Sequence, residues 1–167
     1  MRQFLRGFVA LILASILSHG VAAAEEWRSY TDPQQRFALD LPITSFDVTH
    51  DAPGSGHLTL SEIGGTAIID IFFGNNLKRL SPAAFADRLS HAGLVKDITY
   101  RTRGRTWFVL SGHYRQTGDE PPLIYYAKYL FTADLEQLGG FEISYSVDEK
   151  QRLDPIVERI EDSFRLL

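Results

Sequence analysis

The 167 residues include no cysteine. No disulfide can staple this fold, no thiolate can serve as a nucleophile, and thiolate-held zinc or iron–sulfur centres are excluded. Positive charge is also in short supply, with 17 Lys and Arg against 21 Asp and Glu. Nucleic-acid binding draws its affinity from phosphate neutralisation, and docking on anionic lipid draws it from basic clusters, so this balance argues against both. The P-loop, the dinucleotide-binding glycine pattern and the G-x-S-x-G nucleophile elbow are missing. There is no internal repeat, no low-complexity segment and no linker long enough to divide the chain.

The longest apolar run lies at the very start. "MRQFLRG" carries Arg2 and Arg6 and no acid, "FVALILASIL" follows, and small residues ending in Ala22-Ala23-Ala24 close the stretch. A basic start, a short apolar centre and an A-x-A ending describe a secretory signal peptide, expected here as residues 1–24 with cleavage after Ala24. The competing reading is a retained anchor, but the run falls short of the roughly 20 residues that cross a bilayer. With no cysteine behind it, a lipoprotein is excluded. Removing 24 of 167 residues leaves 143, and removing Arg2 and Arg6 leaves 15 basic against 21 acidic side chains. The expectation is one domain over residues 25–167, periplasmic or secreted, with no membrane span once the signal is cut.

Local patterns predict an α+β domain. Phe37, Leu39 and Leu41 alternate with Ala38 and Asp40 in a half-buried strand closed by Pro42. "HDAPGSGH" reads as a loop, and Gly64-Gly65 joins "HLTLSEI" to "TAIIDIFFG" in a hairpin whose second arm is apolar on both faces. Ser81 caps a helix opened by Pro82, with Phe85 and Leu89 on one stripe and a stop at Gly93. "DITYRTR" and "RTWFVLSGHYRQ" pair around Gly104, and "TGDEPP" turns the chain again. "LIYYAKYLFT" places Leu123, Tyr125, Ala127, Tyr129 and Phe131 on one face, and "FEISYSV" directs Phe141, Ile143, Tyr145 and Val147 inward. Asp154 and Pro155 are read as the start of a final helix with Ile156, Val157, Ile160 and Phe164 buried. The sum is an antiparallel sheet of about seven or eight strands with two helices packed on it, arranged like an α/β/α sandwich.

Tyr30, then Arg36-Phe37-x-Leu39-x-Leu41-Pro42, then hairpins and a closing amphipathic helix together resemble the PsbP-like group of exported domains. The likeness spans Trp27 to Phe164 and implies an α/β/α sandwich around an antiparallel sheet, in a group that includes bacterial envelope proteins. Phe46 stands where a tryptophan often follows the proline. The resemblance implies a fold and a compartment and carries no catalytic set to transfer.

Four constellations invite chemistry. Ser111 and His113 lie two apart on a strand, so their Cα atoms are ~6.5 Å apart on one face. A nucleophile and its base need contact at about 2.6–3.2 Å, so the stretch is read as a strand whose exposed face turns polar. His50, Asp51 and His57 flank a glycine-rich loop, but their spacing matches no zinc signature, and no metal is expected. Arg101, Arg103 and Arg105 gather on one hairpin of an acidic protein, either as an anion contact or as charges that protect a sheet edge. Trp107, His113 and Tyr126, the last beside Lys128 on the face opposite Tyr125 and Tyr129, are candidate pocket residues.

These patterns imply a non-catalytic exported domain that binds an envelope protein, through the sheet face or the arginine hairpin, with no cofactor. The alternative is a small-ligand carrier with a pocket between sheet and helix near Tyr126, Trp107 and His113. A hydrolase built on His50, His57 or Ser111 ranks third.

Overall fold

The computed structural model describes residues 24–52, 54–91, 96–114 and 122–167. Residues 1–23 of the expected signal peptide, the helix stop at Gly93, the strand end Arg115-Gln116 and most of the turn after it lie outside the described residues. In chain order the elements are β1 (Trp27–Thr31), β2 (Phe37–Pro42), β3 (Phe46–Ala52), β4 (His57–Glu62), β5 (Ile68–Asn75), α1 (Pro82–His91), β6 (Lys96–Arg103), β7 (Trp107–Tyr114), β8 (Leu123–Phe131), β9 (Gln137–Ser146), α2 (Lys150–Ser163) and β10 (Arg165–Leu166). Seven strands form one antiparallel sheet in the order β3-β4-β5-β9-β8-β7-β6. The expected hairpins at Gly64-Gly65 and Gly104 are both present, as β4–β5 and β6–β7.

The α+β expectation holds, with a finer division than a single sheet. β1 and β2 leave the main sheet and join the two-residue strand β10 in a second sheet, ordered β1-β2-β10. Phe37, Leu39 and Leu41 of β2 are buried in one core with Leu153, Ile156, Val157 and Ile160 of α2 and Phe141, Ile143 and Tyr145 of β9. Across the main sheet, Phe108, Leu110, Tyr125, Ala127, Tyr129 and Phe131 form a second core under Phe85, Ala86 and Leu89 of α1. Alternation along β7, β8 and β9 makes this two-sided burial possible, since successive side chains enter opposite layers.

Local signals account for α1. The Ser81 hydroxyl accepts the Ala84 N–H at 3.3 Å, and the Ser81 carbonyl accepts the Phe85 N–H at 2.9 Å, while Pro82 has no donor to leave unmet. α2 departs from expectation. It begins at Lys150, behind a 3-10 turn Val147–Glu149, so Asp154 is no cap and Pro155 lies inside the helix. The Asp154 carboxylate accepts the Tyr145 hydroxyl at 3.0 Å and pairs with Lys150, and burial of Leu153 holds the added turn. Strand β3 corrects the loop expected from His50 onward: it pairs with β4 yet buries only Phe46 fully. As an edge strand exposed along its length it has no apolar alternation to reveal it.

Gly112 explains how β6 closes on β7. A Cβ at Gly112 would collide with the Asp97 carbonyl and come within 2.9 Å of Ile98 Cα, beside the register shift between Ile98 and Tyr100. Both obstacles are backbone, so neither can swing away. Gly112→Ala is expected to lose roughly 3 kcal/mol, the upper range for overpacking a filled site. Thermal melting checks this, and a midpoint equal to wild type would refute the close-approach argument.

Candidate functional site

The α2 side of β7 carries Trp107, Val109, Ser111 and His113 in succession, because these positions share one parity of the strand. Tyr126 of β8 lies beside them, its Cα paired with Ser111. Tyr100 and Thr102 of β6 continue the same face to the sheet edge. α2 stands over this surface with Lys150, Asp154, Val157, Glu158 and Glu161. Together they bound a groove of about 610 Å³ between helix and sheet. That volume falls in the range of roughly 300–1,000 Å³ typical of ligand sites.

The three expected pocket residues Trp107, His113 and Tyr126 therefore line one groove. The arginines do not join them. β6 alternates, so Arg101 and Arg103 leave the strand on the α1 side while Tyr100 and Thr102 face α2. Arg101 is occupied by α1: its guanidinium meets Asp87 at 2.7 Å and donates to the Ala83 carbonyl at 3.2 Å. Arg103 and Arg105 are exposed. β6 is an edge of the main sheet, the placement that charge protects from pairing with other chains.

The groove's floor and wall are bonded to each other. The Tyr126 hydroxyl donates to Glu161, and the Tyr145 hydroxyl donates to Asp154 at 3.0 Å. Burial, then the neighbouring carboxylate, pushes both phenols well above their ordinary pKa, so they remain donors at any physiological pH. Lys128 approaches Glu161 at 3.4 Å and donates to its backbone carbonyl at 3.0 Å. Glu158 is exposed and takes part in no ion pair among the described residues. The Trp107 indole lies across Gly104 of the β6–β7 turn, where a Cβ would meet the ring within 2.8 Å of Cδ1.

Ser111 and His113 sit side by side on β7, and no hydrogen bond joins them among the described residues. Hydrolytic chemistry by this pair lacks its first contact. On the other face of the sheet, the His50 and His57 rings stand 5.3 Å apart and His57 Nε2 reaches Asp70 at 3.4 Å. Thr59 also donates to Asp70, at 2.7 Å. Asp51 alternates away from His50, and among the described residues no group of three potential ligands is arranged to hold a metal ion.

Sequence reasoning missed the acids of the wall and their partners. Asp154, Glu158 and Glu161 fall at i, i+4 and i+7, a single stripe beside the buried Val157, which helical spacing alone could have shown. It missed Glu142 too, whose carboxylate accepts the Tyr125 hydroxyl at 3.2 Å and the Tyr129 hydroxyl inside the α1 layer. Among the described residues, no helix is long and apolar enough to cross a membrane.

No family model matches the sequence, and no curated protein matches it. Solved structures do. The chain is similar to the solution structure of cyanobacterial PsbP (CyanoP) from Synechocystis sp. PCC 6803, with a TM-score of 0.62 and 12% identity, covering 89% of this chain and 96% of that one. It is also similar to the crystal structure of the Saccharomyces cerevisiae Ran-binding protein Mog1p, with a TM-score of 0.58 and 7% identity over 86% of this chain and 96% of the other. At such identities the likeness speaks for architecture alone. The fold is that of PsbP: an antiparallel sheet between two helical layers.

Proposed function

We propose that this chain is an exported, non-catalytic domain that binds a protein partner of the cell envelope through the groove between α2 and the β6–β8 face. One observation carries the reading: residues from four strands and a helix converge on a single groove, with Trp107, His113 and Tyr126 among them. Aromatic side chains with one apolar and one hydrogen-bonding end suit recognition surfaces. The groove opens at the sheet edge, where Tyr100 is 55% exposed, so a segment of another protein can lie along it. A similar fold that is named a Ran-binding protein lends support to a binding role. Export rests on Arg2, Arg6, the apolar run and Ala22-Ala23-Ala24.

A small-ligand carrier would use the same groove, and its volume favours that second reading. Photo-crosslinking in the native host separates the two. A crosslinker in place of Tyr100 is expected to trap one protein species, while one in place of Leu77, which is 90% exposed and remote from the groove, does not. Equal capture from both sites, or from neither, argues against the partner reading. Osmotic-shock fractionation is expected to release a chain beginning at Glu25; full-length protein retained in the cytoplasm would overturn export.

A further inference from the structure

We infer that the groove takes an extended basic segment of a protein, in which two Lys or Arg side chains two residues apart lie against the Asp154–Glu158–Glu161 face of α2. This deepens the partner-binding reading above and rests on it. The occupant follows from charge, from the floor and from spacing.

Among the groove's lining residues, Asp154, Glu158 and Glu161 face one cation, Lys150. Lys128 adds a second at the Glu161 end. Lys150 pairs with Asp154 and Lys128 with Glu161, while Glu158, midway between, joins no ion pair among the described residues. The phenol hydroxyls of Tyr126 and Tyr145 hold the flanking carboxylates in place, so the wall is oriented before anything binds. An anionic segment would meet repulsion here.

Opposite the wall, Tyr100, Trp107 and Tyr126 supply ring faces, with Val109 and Ile124 between them. Such a floor suits long side chains that combine an alkyl stem with a cationic head, since the stem packs on apolar surface and the head is drawn to aromatic faces and carboxylates. At 1.5 Å per residue, the carboxylate positions on α2 are separated by ~6 and ~4.5 Å along the helix axis. Same-side residues of an extended chain repeat every ~6.6 Å. Two cations in a basic-x-basic segment therefore match the spacing of Asp154 and Glu158.

The test titrates isotope-labelled protein with acetyl-Arg-Ala-Arg-amide and with acetyl-Glu-Ala-Glu-amide, following the Trp107 indole N–H and the Ser111 and Gly112 amides by NMR. The basic peptide is expected to shift these signals and the acidic one to leave them unchanged. Glu158→Lys, at an exposed position that the fold does not need, is expected to weaken the basic peptide by about fivefold or more, while Arg103→Ala leaves it unaltered. Equal response to both peptides, or an affinity unaffected by Glu158→Lys, overturns the assignment. Silence from both peptides overturns it as well, and crosslinking from Tyr100 then tells the two ideas apart: if it persists, only the basic character of the occupant was wrong.

Discussion

Phe141→Ala is expected to destabilise the domain by about 3–5 kcal/mol, the range found when a large buried aromatic is truncated. Phe141 is fully buried at the centre of β9, with the Phe164 ring edge-on at 5.8 Å and the Tyr126 ring stacked at 6.0 Å. It joins the floor of the groove to the α2 layer, and both neighbours are held by other bonds: Tyr126 by Glu161, Phe164 by its N–H to the Ile160 carbonyl at 2.9 Å. They cannot collapse into the space left behind, so the loss belongs at the upper end. Against a total stability of about 5–15 kcal/mol, the variant should melt far below wild type or fail to accumulate. Tyr126→Phe provides the contrast, forfeiting one hydrogen bond to a carboxylate, worth about 1.5–3 kcal/mol, while the ring stays in place. Chemical denaturation of both variants checks the pair, and a Phe141→Ala loss no larger than that of Tyr126→Phe would show that the groove floor and the α2 layer are not coupled through this ring.

The second large effect concerns Asp32, a carboxylate only 3% exposed. Arg36 grips it from both sides, with Nε donating to Oδ2 at 2.7 Å and Nη2 to Oδ1 at 2.8 Å, and the Gln34 N–H donates at 3.1 Å. The same guanidinium lies 5.5 Å from the Phe73 ring centre, so the turn between β1 and β2 is tied to the main sheet. Asp32→Ala leaves a largely covered cation and a main-chain donor unmet, and is expected to destabilise by roughly 3 kcal/mol. For a domain of this size the melting midpoint falls by roughly 6–12 °C. The hydrogen bond from Arg36 depresses the Asp32 pKa below that of an ordinary aspartate. The contribution is therefore complete above the unfolded-state value of about 3.9, and disappears as pH drops through the lower folded value. Wild type should lose stability on acidification below about pH 4 more steeply than Asp32→Asn, whose side chain has no charge to lose. Parallel acid limbs for the two proteins would show that this pair does not contribute.

Elements with local causes were legible. Ser81-Pro82 starts a helix by its own hydrogen bonding and ring geometry, and Gly104 turns a hairpin whatever surrounds it. The alternation of Phe141, Ile143 and Tyr145 foretold a face buried against α2. Features that depend on distant partners were not. Phe46–Ala52 exposes Asp47, Val48, Thr49, His50 and Asp51, so nothing in its pattern separates an edge strand from a loop; pairing with β4 makes it one. Asp154-Pro155 has the form of a helix start, yet burying Leu153 extends the helix backward by a turn and converts the apparent cap into part of the groove wall. Trp107, His113 and Tyr126 could be placed on the right strand faces, whereas their facing acids came from an element some thirty residues or more further on. Parity along a strand is a local property; which helix covers it is not.

The seam between β2 and β10 bears on how the polypeptide matures. Arg165 and Leu166 pair with Ala38 and Phe37, and the Leu167 N–H donates to the Arg36 carbonyl at 3.0 Å. A chain made amino end first must hold one flank of an early strand open until residues translated about 125 positions later arrive. The two flanks of β2 are therefore sealed at different times in synthesis: one by the adjacent hairpin with β1, the other only once β3 through α2 have been made.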